Sequence, residues 1–142
     1  MSPRPPADTD DDMMRRQKVV LFYETFERAA SIRSALGDHD GLLQATDVSM
    51  LKRLLRMHGD VDALITEYSG ETARPLAALA VAERYGPVPR RILVTPRGVT
   101  SGVLESMQSG RATTLLFLPQ CNTALRAALH APVPGLWRPR AA

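Results

Sequence analysis

The sequence predicts an α/β fold in which five parallel strands form one doubly wound sheet with helices on both faces. Short apolar runs alternate with amphipathic segments five times, the first run (residues 19–22) is continuously apolar, and turns containing Gly, Pro or Asp separate the units. A continuous apolar run is typical of a strand buried on both faces of a parallel sheet. Repeated strand–helix units of this length imply right-handed crossovers between neighbouring parallel strands.

Local signals place the ends of these elements. Thr25 is a predicted N-cap of the first helix, Gly59 stops the second, and Pro75 lies near the start of the third, where a missing N–H does least harm. Gly102 weakens the fourth helix. The predicted strands are residues 19–22, 41–45, 61–67, 91–95 and 112–118. The predicted helices are residues 26–36, 48–58, about 73–85, 99–108 and 122–130.

The chain of 142 residues is long enough for one domain with its own core. We predict a disordered tail over residues 1–16, where prolines accompany four aspartates, because such a composition buries little apolar surface. The domain then covers residues 17–131, and a Pro-rich tail with Trp137 covers residues 132–142. The last segment is too short for an output domain, so we expect a stand-alone domain.

Composition argues against several classes of protein. No apolar run approaches the roughly 18 residues of a membrane-spanning helix, and the first residues lack the apolar centre of a secretory signal. The single Cys121 fits a reducing compartment. We therefore expect a cytoplasmic protein without a membrane partner.

Charge and motifs narrow the function further. The net charge is +3 and the pI is about 9.5, but the arginines are dispersed and aromatics are few, so we do not predict a nucleic-acid partner. The three histidines lack ligand spacing. The sequence also contains no Ser-His-Asp order, Gly-rich phosphate loop or paired-cysteine motif. We predict neither an enzyme nor a catalytic residue.

Side chains at the carboxyl ends of parallel strands meet in the crevice where ligands bind. The strand-end residues of this chain are Tyr23 and Glu24 after the first strand, Glu67 after the third, Thr95 after the fourth, and Leu118 and Pro119 after the fifth.

Over residues 18–131 this pattern resembles a receiver domain of the two-component response regulators, which has a flavodoxin-like fold. In that family the first strand ends in two acids that hold magnesium, and the third ends in a phosphate-accepting aspartate. The fourth ends in Thr or Ser, and the fifth in Lys-Pro. The run from Asp62 to Glu67 has the family's spacing, Thr95 matches the Thr or Ser, and Gly110 and Pro119 match positions around the fifth strand.

The departures from the family pattern concern its chemistry. Glu67 replaces the acceptor aspartate, Tyr23 replaces the first metal-binding acid, Leu118 replaces the lysine and Leu115 replaces an aromatic switch residue. Magnesium prefers near-octahedral oxygen ligands, and the longer Glu67 side chain moves its carboxylate off the in-line geometry. We therefore predict a degenerate receiver with no bound magnesium or other cofactor and no stable acyl phosphate.

Two strand-end residues each have two interpretations. Glu67 is either a permanent imitation of a phosphorylated aspartate, with its charge near Thr95, or a solvated carboxylate without a switch. Thr95 is either a remnant of the family's switch residue or a turn residue before Pro96.

The resemblance implies a role in signal transduction through protein–protein interaction that does not depend on phosphorylation. It also implies that the fourth helix, fifth strand and fifth helix bind a partner protein or a second copy of the chain, through Val103, Met107, Leu115 and Arg126. Two alternatives remain open. The domain either senses a small molecule in the strand-end crevice, through Tyr23 and Thr95, or is a residual phosphoacceptor in a phosphorelay.

Overall fold

A computed structural model describes residues 18–36, 41–85, 88–98, 102–118 and 122–130. The predicted tails, residues 1–16 and 132–142, lie outside these residues, so the domain boundaries remain predictions. Within the described ranges, no helix has both the length and the apolar character needed to cross a membrane.

Strands and helices alternate along the described chain. The strands are β1 (Val19–Phe22), β2 (Leu42–Ala45), β3 (Ala63–Glu67), β4 (Arg90–Pro96) and β5 (Thr114–Leu118). The helices are α1 (Phe26–Leu36), α2 (Val48–Met57), α3 (Arg74–Arg84), α4 (Val103–Gln108) and α5 (Asn122–His130).

The strands form one parallel sheet in the order β2-β1-β3-β4-β5. The predicted doubly wound parallel sheet is therefore confirmed. β1 pairs with β2 on one side and with β3 on the other. The chain adds β2 on the first side and then returns to add β3, β4 and β5 on the second, so the strand order reverses at β1. In such a sheet, this reversal opens a crevice at the carboxyl ends of the two strands.

Alternating side chains of the strands build two apolar layers, one on each face of the sheet. The layer under α2, α3 and α4 contains strand residues Val20, Phe22, Leu64 and Leu93. The layer under α1 and α5 contains strand residues Val19, Leu21, Ile65 and Ile92. Because both faces are covered, β1 and β3 are buried along their whole length, whereas Gln44 on the edge strand β2 is exposed.

The fourth helix was predicted over residues 99–108, and this prediction is wrong at Gly102, which is not part of the helix. Gly102 has a φ of 78° and precedes the first residue of α4, so the helix begins at Val103. Val99 lies outside the described residues. β5 also begins later than predicted, because Ala112 N–H donates to Ser106 O, 3.1 Å away, in the turn after α4.

The amino ends of β1 and β3 are joined to the turn that follows α2. Lys18 N–H donates to Asp62 Oδ2 over 3.1 Å, and Lys18 Nζ donates to Asp60 Oδ1 over 3.0 Å. The hydrogen bond from Lys18 lowers the pKa of the Asp60 carboxyl below its ordinary value. The start of the described chain is therefore fixed beside the end of α2.

We expect Gly102→Ala to destabilise the domain more than Gly98→Ala. Both glycines have a positive φ, so each new Cβ costs about 1–2 kcal/mol for the left-handed conformation. A Cβ on Gly102 would also lie 2.5 Å from Leu76 Cδ1, whereas nothing lies within 4 Å at Gly98. Urea unfolding should show an extra loss of about 1 kcal/mol for Gly102→Ala.

Leu76→Ala is the matched control, because it removes the atom that the new Cβ meets. In the Leu76→Ala background, the cost of Gly102→Ala should fall to that of Gly98→Ala. Equal unfolding free energies for the two single glycine variants would contradict the close packing of Gly102 on α3.

Candidate functional site

The carboxyl edge of the sheet brings together four of the strand-end residues identified in the sequence. Tyr23 and Glu24 directly follow β1, Glu67 is the last residue of β3, and Thr95 lies within β4. The backbone of Leu118 ends β5 at the same edge. Pro119 lies outside the described residues.

Glu67 is buried within the sheet, with 1% of its surface exposed. It pairs in register with Val94 and, by strand alternation, shares a sheet face with Ile65. The interpretation of Glu67 as a solvated carboxylate is therefore wrong. The reason is that β3 continues through residue 67, so this side chain is covered like the rest of the strand.

Thr95 is fully buried inside β4, so its interpretation as a turn residue is also wrong. Its hydroxyl donates to Tyr68 O over 2.8 Å, and Tyr68 N–H donates to Val94 O over 2.9 Å. A hydroxyl has a single proton to donate. Thr95 therefore uses that proton to join the end of β3 to β4, not to reach Glu67.

Glu24 connects the loop after β1 to the loop after β3. Its side chain is only 7% exposed, and Glu24 Oε2 accepts a hydrogen bond from the Thr72 hydroxyl. Arg74 Nη2 lies 3.8 Å from the same oxygen. Within the described residues, the buried Glu24 Oε1 accepts no hydrogen bond. A hydroxyl donor and a guanidinium charge therefore compensate this carboxylate.

Tyr23 packs on the layer under α1 and α5, next to the position of Glu67 along the sheet. The Arg33 guanidinium lies 5.4 Å from the centre of the Tyr23 ring and 3.4 Å from that of Phe26. Arg33 Nη2 also donates to Phe26 O over 2.6 Å. Tyr23 therefore contributes an aromatic face to α1 at the position where the family resemblance implies a metal-binding acid.

The residues at this edge differ from the pair of acids that the family resemblance implies for magnesium. Magnesium in proteins is held by one or two carboxylates together with waters in octahedral geometry. Tyr23 supplies no carboxylate, and the Arg74 cation already lies beside Glu24 Oε2. In the part of the chain that the structure describes, no three His, Cys, Asp or Glu side chains are grouped so that they could bind a metal ion.

The sequence-based reasoning missed Thr72, Arg74 and Tyr68. All three lie near the loop between β3 and α3, where no periodicity indicates which side chain faces the crevice. The one local signal in the sequence was a threonine, Thr72, just before α3. Its hydroxyl also accepts a hydrogen bond from Arg74 N–H over 3.3 Å at the start of that helix. That pattern indicates a helix start, not a contact with Glu24.

A second feature lies at the β5 edge of the sheet. An open groove with a volume of about 470 Å³ runs between α4 and β5, and its lining is mostly apolar. Val103, Met107 and Leu115, which were predicted to bind a partner, lie together in this groove. The other lining residues are Arg97, Gly98, Leu104 and Phe117. Arg126 is not among them, because α5 packs on the opposite face of the sheet.

We expect Thr72→Val to destabilise the domain, because it leaves the buried Glu24 carboxylate without its hydroxyl donor. Losing a hydrogen bond to a buried charged group costs about 1–3 kcal/mol. Thr72→Ser keeps the hydroxyl and is the matched control, with a loss expected to be within about 0.5 kcal/mol. Urea unfolding measures both, and equal midpoints would contradict a dependence of Glu24 on Thr72.

Solved structures similar to this chain include two receiver domains. A response regulator receiver domain protein from Clostridium thermocellum has a TM-score of 0.66 at 20% identity, covering 80% of this chain and 90% of that chain. The signal receiver domain of an HD domain-containing protein from Pseudomonas fluorescens Pf-5 has a TM-score of 0.64 at 20% identity, covering 80% and 92%.

A third similar structure has a different description. A putative pilus assembly protein (cpaE) from Burkholderia thailandensis E264 has a TM-score of 0.61 at 21% identity, covering 80% of this chain and 94% of that chain. No protein-family model and no curated protein sequence matches the chain. At these identities the similarity concerns the fold, and the chain has the flavodoxin-like fold of response regulator receiver domains.

Proposed function

We propose that this chain is a receiver-like signalling domain that acts by binding another protein and does not accept a phosphoryl group. The observation that carries the proposal is the state of Glu24. Glu24 Oε2 accepts from the Thr72 hydroxyl and lies beside Arg74, so groups of the chain itself take the place of a metal ion.

The chemistry of phosphoryl transfer supports this proposal. Catalysis of that reaction depends on positioning and on cations that neutralise the charge of the transferred group. Here the acceptor position is a buried glutamate, Glu67, and Leu118 stands where the family resemblance implies the lysine. The crevice therefore offers neither a metal site nor a lysine to stabilise the transition state.

The groove between α4 and β5 is the surface that we propose for the partner. Leu104 on its rim is 64% exposed, and the lining is mostly apolar. An open apolar groove of this kind can receive the apolar anchor side chains of a partner protein. The Arg97 guanidinium lies 4.9 Å from the centre of the Phe117 ring at the edge of the groove. This arrangement suits a partner that inserts apolar side chains and places a carboxylate near Arg97.

The similar solved structures support a role in binding. Their descriptions include a signal receiver domain and pilus assembly proteins from Burkholderia thailandensis E264 and Caulobacter crescentus CB15. Those descriptions name signalling and assembly, two roles in which proteins act on other proteins.

The small-molecule alternative has less support at the residues it requires. Thr95 is fully buried and already donates its hydroxyl proton to Tyr68 O. A ligand in the crevice would have to break that bond before it could accept from Thr95. The groove at β5 is open to solvent, whereas small-molecule sites bury most of their ligand.

We expect no magnesium-dependent labelling of the protein by a small phosphodonor. Wild type and Glu67→Gln should be equally unlabelled, since the crevice lacks the cations that the reaction needs. Mass spectrometry of the intact protein measures this directly. Labelling of wild type that disappears in Glu67→Gln would favour the phosphoacceptor alternative and contradict the proposal.

We expect Leu104→Asp to weaken partner binding, because it places a charge in the apolar groove. Capture from the native host identifies the partner, and titration with the purified partner should then show affinity weakened about tenfold or more. Met57→Asp is the matched control, since Met57 is 68% exposed but lies on α2, away from the groove.

Glu67→Gln separates the groove from the crevice, because it replaces the buried carboxyl group with an amide of nearly the same shape. The proposal expects this variant to bind the partner as wild type does. Binding lost in Glu67→Gln but kept in Leu104→Asp would place control in the crevice. Conversion of a wild-type dimer to a monomer by Leu104→Asp, measured by light scattering, would identify the partner as a second copy.

A further inference from the structure

Helices α2 and α3 share a surface with a strong positive charge. Its basic residues are Lys52, Arg53 and Arg56 on α2 and Arg84 on α3, and we call these four the basic surface. The three arginines are exposed and Lys52 is half-buried. The sequence of α2 contains no acidic residue. The acid of α3 is Glu83, whose carboxylate lies 3.9 Å from Arg111 Nε in the loop after α4.

One contact joins α2 to the end of α3 next to these charges. Lys52 Nζ lies 5.4 Å from the centre of the Tyr85 ring, and Tyr85 directly follows Arg84. Among the described residues, none of the ion pairs includes a member of the basic surface. Four neighbouring cations create a local positive potential that attracts a ligand with several negative charges.

The sequence contains such a ligand a few residues before Lys18, the first described residue. Residues 8–12 read Asp-Thr-Asp-Asp-Asp, which places four carboxylates within five positions. This acidic segment is the densest run of negative charge in the chain, and it precedes the first described residue, Lys18. The number of carboxylates equals the number of cations on the basic surface.

The connection point lets the acidic segment reach the basic surface. Lys18 Nζ lies 3.0 Å from Asp60 Oδ1, and Asp60 belongs to the turn after α2. Six residue steps separate Asp12 from Lys18 and span at most about 20 Å when extended. The ten residues of α2 are about 15 Å long. All of α2 therefore lies within reach of the segment.

We propose that the acidic segment, residues 8–12, binds the basic surface of the same molecule. The short connection gives the segment an effective concentration in the millimolar range, which favours it over a free polyanion. Each exposed pair contributes little alone, so the contact depends on several pairs and on low salt. The contact covers a surface distinct from the groove between α4 and β5.

Zero-length carbodiimide cross-linking of the full chain tests this proposal. The reagent joins a carboxylate to an amine in contact with it, and Lys18 and Lys52 are the only lysines of the chain. We expect peptide mapping of the monomer to find Lys52 joined to the acidic segment. The Lys18–Asp60 pair supplies an internal reference for reagent and fold. Raising salt from about 0.01 M to about 1 M shortens the Debye length from about 30 Å to about 3 Å and should abolish the Lys52 product.

Two variants provide matched controls. Arg56→Glu should reduce the Lys52 product about twofold or more, because one attractive pair becomes repulsive. Arg97→Glu makes the same change in net charge at the groove and should leave the yield unchanged. A Lys52 product that is absent, that forms only in cross-linked dimers, or that is equal in both variants would overturn the proposal.

A second measurement asks whether the segment covers the surface. A single-stranded oligonucleotide and phosphatidylserine vesicles serve as polyanion probes for wild type and for a variant with Asp8, Asp10, Asp11 and Asp12 changed to Asn. We expect the Asn variant to bind both probes severalfold more tightly, with a steeper salt dependence. Equal binding of the two proteins would show that the segment does not occupy the basic surface and would overturn the proposal.

Discussion

The position of β3 between β1 and β4 is the constraint on which the carboxyl edge of the sheet depends. Every residue of β3 is buried, including the terminal Glu67. Glu67 pairs in register with Val94, and the next residue, Tyr68, is hydrogen-bonded to β4 through both its N–H and its carbonyl. The strand therefore enters the crevice as a fixed element, and the neighbouring loops adjust to it.

Burial at this edge of the sheet also determines how the carboxylate of Glu24 is stabilised. A carboxylate taken out of water requires compensation by hydrogen bonds or by an opposite charge. For Glu24 the compensation comes from Thr72 and Arg74, at the end of the loop between β3 and α3. Under the proposed function, these groups of the chain take the place that a metal ion and a phosphoryl group would otherwise need. The contact would then be the physical reason why the fold persists without the reaction.

The fold was largely predictable from the sequence, because burial on both faces leaves a short run of apolar residues within each of β1, β3 and β4. Helix starts were less certain. The start of α4 depends on the positive φ of Gly102, and a glycine in a sequence does not reveal its own dihedral angle. Strand ends were also uncertain, since the amino-acid sequence does not distinguish a solvent-exposed glutamate from a buried one such as Glu67.

The candidate site was predictable only where the family resemblance supplied positions. Tyr23, Glu24, Glu67 and Thr95 reach the same edge because parallel strands end together. Thr72 and Arg74 were missed because the loop before α3 and the first residue of that helix follow no period. The groove was half predicted, with Val103, Met107 and Leu115 anticipated and Leu104 and Phe117 not. Leu104 and Phe117 become neighbours of the other three residues only through the packing of α4 against β5.

Tyr68 links the crevice to the groove, and its environment bears on whether the domain switches. Its ring is buried in the layer under α3 and α4, and its hydroxyl lies 3.7 Å from the position that a Cβ on Gly102 would take. Its backbone is held at both polar atoms by Val94 and Thr95. Transmission between two sites requires an element with two discrete arrangements. A residue fixed by two backbone hydrogen bonds and a buried ring favours one arrangement, in which α4 and the groove stay in place. Under the proposed function, this rigidity is the physical reason to expect a groove that is presented to its partner constantly, without chemistry in the crevice.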